Sequence, residues 1–155
     1  MPSIRSMIKR LRSDYPEYHF EPATGFWWSA AKKTIFYDPK TSNSDLFALH
    51  ELSHALLEHS GYNRDIELLK LERDAWDYAK TTLAPHYGAT IDGNIIQENL
   101  DTYREWLHAR SLCPECETTG LQFRSNLYRC IACGHQWRAN EAKLCALRRY
   151  SLQTK

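Results

Sequence analysis

The chain has 155 residues, 43% hydrophobic and 25% charged, which suits one modest domain, or one domain with a small appendage, and excludes long-range disorder. The net charge of +1 says little about which partners the protein has. That charge is uneven, since residues 1–110 carry 13 Lys/Arg against 16 Asp/Glu and residues 111–155 carry 7 against 3. The contrast favours two units with different surfaces.

The elements can be predicted in chain order. Ile4, Ile8 and Leu11 share one side of a short basic helix at the N-terminus. Residues 18–38 alternate strand-forming runs with turn residues, which predicts a small antiparallel sheet of three strands. Three further helices are expected, at about 44–59, 65–83 and 94–110.

Membrane and secretory segments are not expected. No stretch approaches the roughly 20 apolar residues that span a bilayer, and the N-terminus lacks the apolar run of a secretory signal. We therefore expect a cytoplasmic protein with no membrane partner. Five cysteines in a reducing compartment favour metal binding over disulfides.

His50, Glu51 and His54 form an HExxH motif on the second helix. Side chains at i and i+4 share a helix face, so both imidazoles can bind one zinc ion. Glu51, beside the first ligand, can accept a proton from the attacking water and pass it to a leaving amine. The same three residues also occur together by chance on ordinary helices. The interpretation as a zinc site therefore depends on finding a third ligand.

A histidine ligand close to the motif is not available. In the HExxHxxGxxH pattern the glycine position is Leu57 and the third histidine position is Ser60. His59 falls one place short and is expected to face solvent. The next histidine along the chain is His86, beyond the third helix.

Glu72 is the favoured third ligand. It shares a helix face with four apolar residues that should be buried, Leu68, Ala75, Trp76 and Ala79. A carboxylate there is costly unless it is paired or bound to a metal. Two alternative interpretations of Glu72 are that it forms a buried salt bridge or that it lies at the edge of the apolar stripe. Asp65, more simply a helix N-cap, and Glu67 and Asp74 are the weaker ligand candidates.

The run ALHELSHALLEH, followed by LERDAWDYA, resembles the ImmA/IrrE-like metallopeptidases. In that family the HExxH helix precedes a helix with a glutamate three residues before an alanine, here Glu72 and Ala75. The resemblance covers roughly residues 1–85 and implies a gluzincin-like zinc peptidase that cuts a transcriptional repressor. The SprT-like proteases, which act on DNA-associated proteins, also combine HExxH with a zinc ribbon. Their third ligand is a downstream histidine, and no histidine lies between His59 and His86 in this sequence. We therefore rank this family second.

Two CxxC pairs follow, separated by 13 residues. Four thiolates with this spacing can bind a structural zinc ion in a tetrahedral site. The predicted ligands are Cys113, Cys116, Cys130 and Cys133. Gly134, directly after the second CxxC pair, gives the backbone the conformational freedom that a tight turn there needs. Between the pairs, residues 121–123 and 127–129 predict a hairpin, and residues 136–138 a third strand. Cys145 is expected to be a small buried apolar residue, and residues 140–150 to form a helix.

The sequence does not distinguish between two roles for the zinc ribbon, nucleic-acid binding and recruitment of a protein substrate. Basic residues interleaved with aromatic residues are typical of nucleic-acid surfaces, but the aromatic residues also suit a small core. The basic residues are Arg124, Arg129, Arg138, Lys143, Arg148 and Arg149, and the aromatic ones are Phe123, Tyr128 and Trp137. A protein substrate is an equally suitable partner.

The sequence thus predicts an α+β minimal zincin-like domain over 1–110 and a zinc ribbon with a C-terminal helix over 111–155. We expect two zinc ions per chain, one catalytic and one structural, and peptide-bond hydrolysis. A non-enzymatic zinc-binding adaptor for DNA or a regulator is the alternative, as is a peptidase held inactive until a partner opens it.

Overall fold

A computed structural model describes residues 3–141 and 147–152 of the chain. These residues form an α+β fold whose helices and strands are α1 (Ile4–Asp14), β1 (His19–Pro22), β2 (Trp27–Ser29), β3 (Thr34–Tyr37), α2 (Ser44–Leu56), α3 (Asp65–Tyr78), α4 (Ala84–His86), α5 (Gly93–Ser111), β4 (Leu121–Arg124), β5 (Leu127–Arg129), β6 (Gln136–Ala139) and β7 (Arg149–Ser151). A π-helical segment, Ala79–Leu83, joins α3 to α4. In the described ranges, none of the helices has the length and apolarity needed to cross a bilayer.

The chain divides into two compact units. Unit 1 comprises residues 1–60 and 71–96, and unit 2 comprises residues 61–70 and 97–155. This differs from the predicted division at residue 110, because most of α5 belongs with the ribbon. Arg110, for instance, accepts a hydrogen bond from the Trp137 indole through its carbonyl at 2.9 Å.

The core of unit 1 is built from the apolar faces of its helices and the inner face of its sheet. α1 buries three side chains at helical spacing, as expected from an amphipathic pattern. α2 packs against β3 and β2. The fully buried residues include Met7, Leu11, Phe20, Ile35, Leu49, Leu52 and Trp76.

The three-stranded sheet of unit 1 is mixed, not antiparallel as predicted. Its strand order is β1-β3-β2, with β1 parallel and β2 antiparallel to β3. A tight turn over residues 30–33 makes β2 and β3 a hairpin, but the β1–β2 connection carries the chain past the central position. Gly25, at φ 112°, lies in that connection. β2 is thereby left at one edge of the sheet.

The third helix is longer and less regular than predicted. It was expected to end before Pro85, yet helical backbone continues through His86 after the π-helical segment. Proline lacks an N–H and its ring clashes with the carbonyl four residues earlier, so a wider turn before Pro85 accommodates it. The predicted burial of Leu68, Ala75, Trp76 and Ala79 on α3 and its extension is confirmed.

Unit 2 contains a four-stranded antiparallel sheet in the order β4-β5-β6-β7. The first three strands confirm the predicted hairpin and third strand. The fourth, Arg149–Ser151, was not predicted and replaces the end of the expected helix over 140–150. Residues 142–146, including Cys145, lie outside the described residues.

A buried charge cluster holds α5 to the ribbon within unit 2. Arg110 is 1% exposed, and its Nε donates to the Asp65 carboxylate at 3.0 Å and to the Tyr128 hydroxyl at 3.1 Å. Its two Nη atoms donate to Asn140 and Asn126. Burial, and a hydrogen bond that Tyr128 donates to Asp65, raise the pKa of Tyr128. The Asp65 carboxylate therefore forms an ion pair with Arg110 and accepts a hydrogen bond from Tyr128.

We expect Arg110→Met to lower the free energy of unfolding by about 3–5 kcal/mol, because it leaves the Asp65 carboxylate buried without a cation. Arg104→Met is the matched control on the same helix. Its side chain is 46% exposed in a 2.8 Å ion pair with Asp101, so its loss should cost less than about 1 kcal/mol. Urea unfolding of the zinc-loaded chain measures both, and equal losses would contradict the assignment.

Candidate functional site

α2 presents the HExxH residues of unit 1 at the expected phase. His50 and His54 lie one turn apart on the buried face of the helix, at 3% and 8% exposure. One ring nitrogen of each and one carboxylate oxygen of Glu51 all lie within 4.8 Å of one another. The buried hydroxyl of Ser53 donates to the Leu49 carbonyl at 2.8 Å, so this polar residue adds no competing group to the cluster.

α3 brings Glu72 to the same two imidazoles. Its Oε2 lies 2.8 Å from His50 Nε2, and its Oε1 lies 3.2 Å from His54 Nε2. The two histidine Nε2 atoms are themselves 3.2 Å apart. Two ring nitrogens from α2 and both carboxylate oxygens of Glu72 from α3 thus lie close together.

The pKa of Glu72 shows how far the histidines stabilise its charge. The residue is 6% exposed, and this burial alone would raise the pKa of its carboxyl group. The hydrogen bonds and positive potential of His50 and His54 outweigh that effect and hold the pKa well below its usual range. Glu72 is therefore an ionised carboxylate, which is the form that binds a metal ion.

The three distances, which join two ring nitrogens and two carboxylate oxygens, are close to those between the ligands of a tetrahedral metal ion. Bonds of about 2.0–2.1 Å to nitrogen and oxygen place the donors of a tetrahedral zinc site roughly 3.3 Å apart. The observed separations of 2.8–3.2 Å are close to this value. The same distances also suit a metal-free cluster in which the imidazoles donate hydrogen bonds to Glu72, which is the buried salt bridge considered in the sequence analysis. A measurement of metal content distinguishes the metal site from this salt bridge.

The remaining candidate ligands are engaged elsewhere. His86 is largely exposed beside Asp14, at 3.9 Å. Glu67 accepts hydrogen bonds from the backbone of Asn63 and Arg64, at the start of α3. Asp74 lies 3.6 Å from Arg73. With Asp65 paired to Arg110, Glu72 is the only one of the predicted third ligands that the described residues bring to His50 and His54.

The two imidazoles are held in different ways. The His50 ring stacks on Trp76, with centroids 4.1 Å apart, and its Nδ1 makes no hydrogen bond to any described residue. His54 Nδ1, by contrast, lies 2.9 Å from His59 Nδ1. The expectation that His59 faces solvent is wrong, because the helix ends before it and the chain turns back. The sequence signal was the histidine itself, one position before Ser60, the third-histidine position of the HExxHxxGxxH pattern.

The four predicted ribbon cysteines meet in unit 2. Cys113 Sγ lies 3.7 Å from Cys133 Sγ, and Cys116 Sγ lies 3.5 Å from Cys130 Sγ. Zinc–sulfur bonds of about 2.3 Å in a tetrahedron separate the sulfurs by roughly 3.8 Å. These are thiols placed around a common point, at distances too long for disulfides.

The thiols cannot all ionise without a cation. Backbone N–H groups of Cys133 and Ala132 point at the Cys130 sulfur and lower its pKa to about 6. The N–H of His135 lowers the pKa of Cys133, but burial and the three other sulfurs raise it to about 12. One thiolate is therefore favoured and the next is opposed, as expected of a site that needs a metal ion's charge.

Two glycines make the ribbon's tight geometry possible. Gly134 follows the second knuckle at φ 75°, as its predicted role requires. A Cβ on Gly120 would lie 2.5 Å from the Trp137 ring and 2.7 Å from the Arg129 carbonyl oxygen, so only glycine fits there. Trp137 and Tyr128 fill the core with the buried cysteines.

Comparison of the chain with models of known protein families, with curated proteins and with solved structures finds no match.

We expect elemental analysis to find two zinc ions per chain in the wild type and about one in Glu72→Ala, because that change removes one of three ligands while the ribbon is untouched. Asp77→Ala, an exposed carboxylate on the same helix, is the matched control and should keep both ions. A single zinc ion in the wild type would contradict the metal site at Glu72 and favour the interpretation that Glu72 forms a buried ion pair with His50 and His54.

Proposed function

We propose that this chain is a zinc-dependent peptidase that hydrolyses a peptide bond in a protein substrate. The observation that carries the proposal is the convergence of His50, His54 and Glu72 at tetrahedral spacing, with Glu51 beside them. Two histidines and a carboxylate leave a fourth position open, which is the ligand set of catalytic rather than structural zinc sites.

His50, His54 and Glu72 would hold the zinc ion, which would act as a Lewis acid, lowering the pKa of a water molecule toward neutrality and polarising the scissile carbonyl. The Glu51 carboxylate takes one proton from the attacking water as its oxygen bonds to the carbonyl carbon. Glu51 then transfers that proton to the amine as the C–N bond breaks. Each proton taken from water is returned to product, so Glu51 ends the cycle ionised.

Unit 1 also offers a place for an extended substrate. β2 lies at the edge of the sheet and packs against α2, the helix that carries His50 and Glu51. A peptide can add to such an edge as a further strand through backbone hydrogen bonds. Phe26 contacts Phe47, whose ring meets Trp76 edge-on at 5.5 Å, so an aromatic cluster leads from the start of β2 to the ring beneath His50.

The ImmA/IrrE-like resemblance extends this proposal to a substrate class. A glutamate from the following helix is the third ligand implied by that family, and Glu72 occupies the matching place. A transcriptional repressor is accordingly our proposed substrate. SprT-like proteolysis of DNA-associated proteins ranks second, because the downstream histidine beside the site, His59, faces Nδ1 of His54 and not the Nε2 atoms that face Glu72.

The ribbon is proposed to hold a structural zinc ion through its four cysteines. Reduced thiols placed for a metal suit a reducing compartment such as the cytoplasm.

Several arginines of the ribbon are exposed, which keeps DNA or a regulator open as its partner and supports the adaptor alternative: Arg124, Arg129, Arg138, Arg148 and Arg149. Two of the three aromatic residues predicted to interleave with them, Tyr128 and Trp137, fill the core instead. Phe123, 40% exposed, is left as a stacking surface. An adaptor would keep its biological effect without Glu51 and lose it when the ribbon cysteines are replaced.

We expect Glu51→Gln to fold and keep both zinc ions but to cleave peptides at least about 100-fold more slowly, because glutamine cannot accept the proton. Glu58→Gln, an exposed glutamate two turns further along the chain, is the matched control and should cleave at the wild-type rate. Mass spectrometry of a mixture of synthetic peptides after incubation measures both. Undiminished cleavage by Glu51→Gln would refute the mechanism.

A further inference from the structure

The end of α2 brings a third histidine to the candidate site of unit 1. The helix ends at Leu56, and Glu58 adopts a left-handed conformation with φ 56°. The backbone N–H of Glu58 then donates to the Ala55 carbonyl at 3.1 Å, and that of His59 donates to the His54 carbonyl at 2.9 Å. This pair of hydrogen bonds is the Schellman turn, which reverses the chain at a helix C-terminus.

The reversal places the His59 side chain against His54. The two rings meet at 62°, with centroids 5.1 Å apart and the Nδ1 atoms 2.9 Å apart. Since only one of two facing ring nitrogens can carry the proton, one imidazole must donate and the other accept. His54 Nε2 faces Glu72 and His50, so a metal ligand at Nε2 requires the proton of His54 to be on Nδ1. His59 Nδ1 is then the acceptor.

The surroundings of His59 favour that acceptor role. His59 is half-buried, and its Nδ1 lies within hydrogen-bond distance of His54 Nδ1, at 2.9 Å. His50 has no counterpart to this contact, because its Nδ1 makes no hydrogen bond in the described chain and its ring is held by stacking on Trp76. Hydrogen bonding through the second ring nitrogen is therefore confined to His54.

We propose that His59 is a positioning residue that fixes the tautomer and ring orientation of His54 by accepting a hydrogen bond from its Nδ1–H. The inference rests on the proposed metal site and concerns how strongly that site binds zinc. A partner of this kind orients the ligand, raises the basicity of the coordinating nitrogen, and is commonly worth a factor of about 10–100 in metal affinity. His59 acts only through His54 and touches no substrate in this assignment.

The test compares His59→Leu, which removes the acceptor, with His59→Asn, whose amide oxygen stands near the place of Nδ1. Zinc affinity of the full chain is measured by competition with a chromophoric chelator while the ribbon stays loaded. We expect affinity of the second site to fall about 10- to 100-fold in the leucine variant and to return to within about threefold of wild type in the asparagine variant. His19→Leu, at an exposed histidine of the same unit, is the matched control and should bind as wild type.

The other outcomes are distinguishable. Wild-type affinity in His59→Leu would overturn the role of His59 and leave the metal site standing. Equal losses in the leucine and asparagine variants, with equal loss of thermal stability in the metal-free state, would show that packing rather than the hydrogen bond matters. A wild-type chain that takes up no second zinc ion would overturn the metal site and this inference together.

Discussion

The buried carboxylate of Glu72 is the constraint on which the candidate site depends. An ionised group at 6% exposure is tolerated only with close, well-aligned partners, and α3 has no cation beside it on its apolar face. The partners come from α2, through His50 and His54. This requirement sets the register of the two helices, because a shift of one residue on either would turn the carboxylate away from both imidazoles. The stack of Trp76 on His50 is a consequence of the same register, since Trp76 lies one turn after Glu72.

The ribbon meets a comparable constraint by a different route. Its core is small, and the buried cysteines Cys113 and Cys130 occupy space where a larger domain would place aliphatic side chains. The opposed pKa shifts of Cys130 and Cys133 show that the thiols compete for a single negative charge in the absence of a cation. With the proposed structural zinc ion, folding of this sheet and metal binding would be coupled, as in other small metal-dependent modules. Gly120 belongs to that coupling, because the close approach of its backbone to Trp137 is compatible only with glycine.

The features that local periodicity controls could be predicted from the sequence. His50, Glu51 and His54 follow from the spacing of one helix, and Glu72 from the phase of an apolar stripe, since a helix fixes which side chains share a face. Non-local pairing could not be predicted in this way. Whether β1 joins β3 in parallel depends on how the connection at Gly25 passes the sheet, and no alternation pattern distinguishes the two directions. His59 was placed wrongly for a related reason: a left-handed glutamate is uncommon, and nothing at Glu58 announced the end of the helix.

The nature of the two candidate metal sites follows from their ligand count. Four cysteines complete a tetrahedron and leave no position for substrate, so the ribbon site is closed. At the other site, one carboxylate oxygen of Glu51 lies within 4.8 Å of a ring nitrogen of His50 and of His54. Adjacent residues of a helix project about 100° apart, so a side chain next to His50 does not aim at the same point as His50 and His54 do. In the proposed peptidase, His50, His54 and Glu72 are the three protein ligands and Glu51 lies beside an open fourth position, which is the arrangement that general-base catalysis requires.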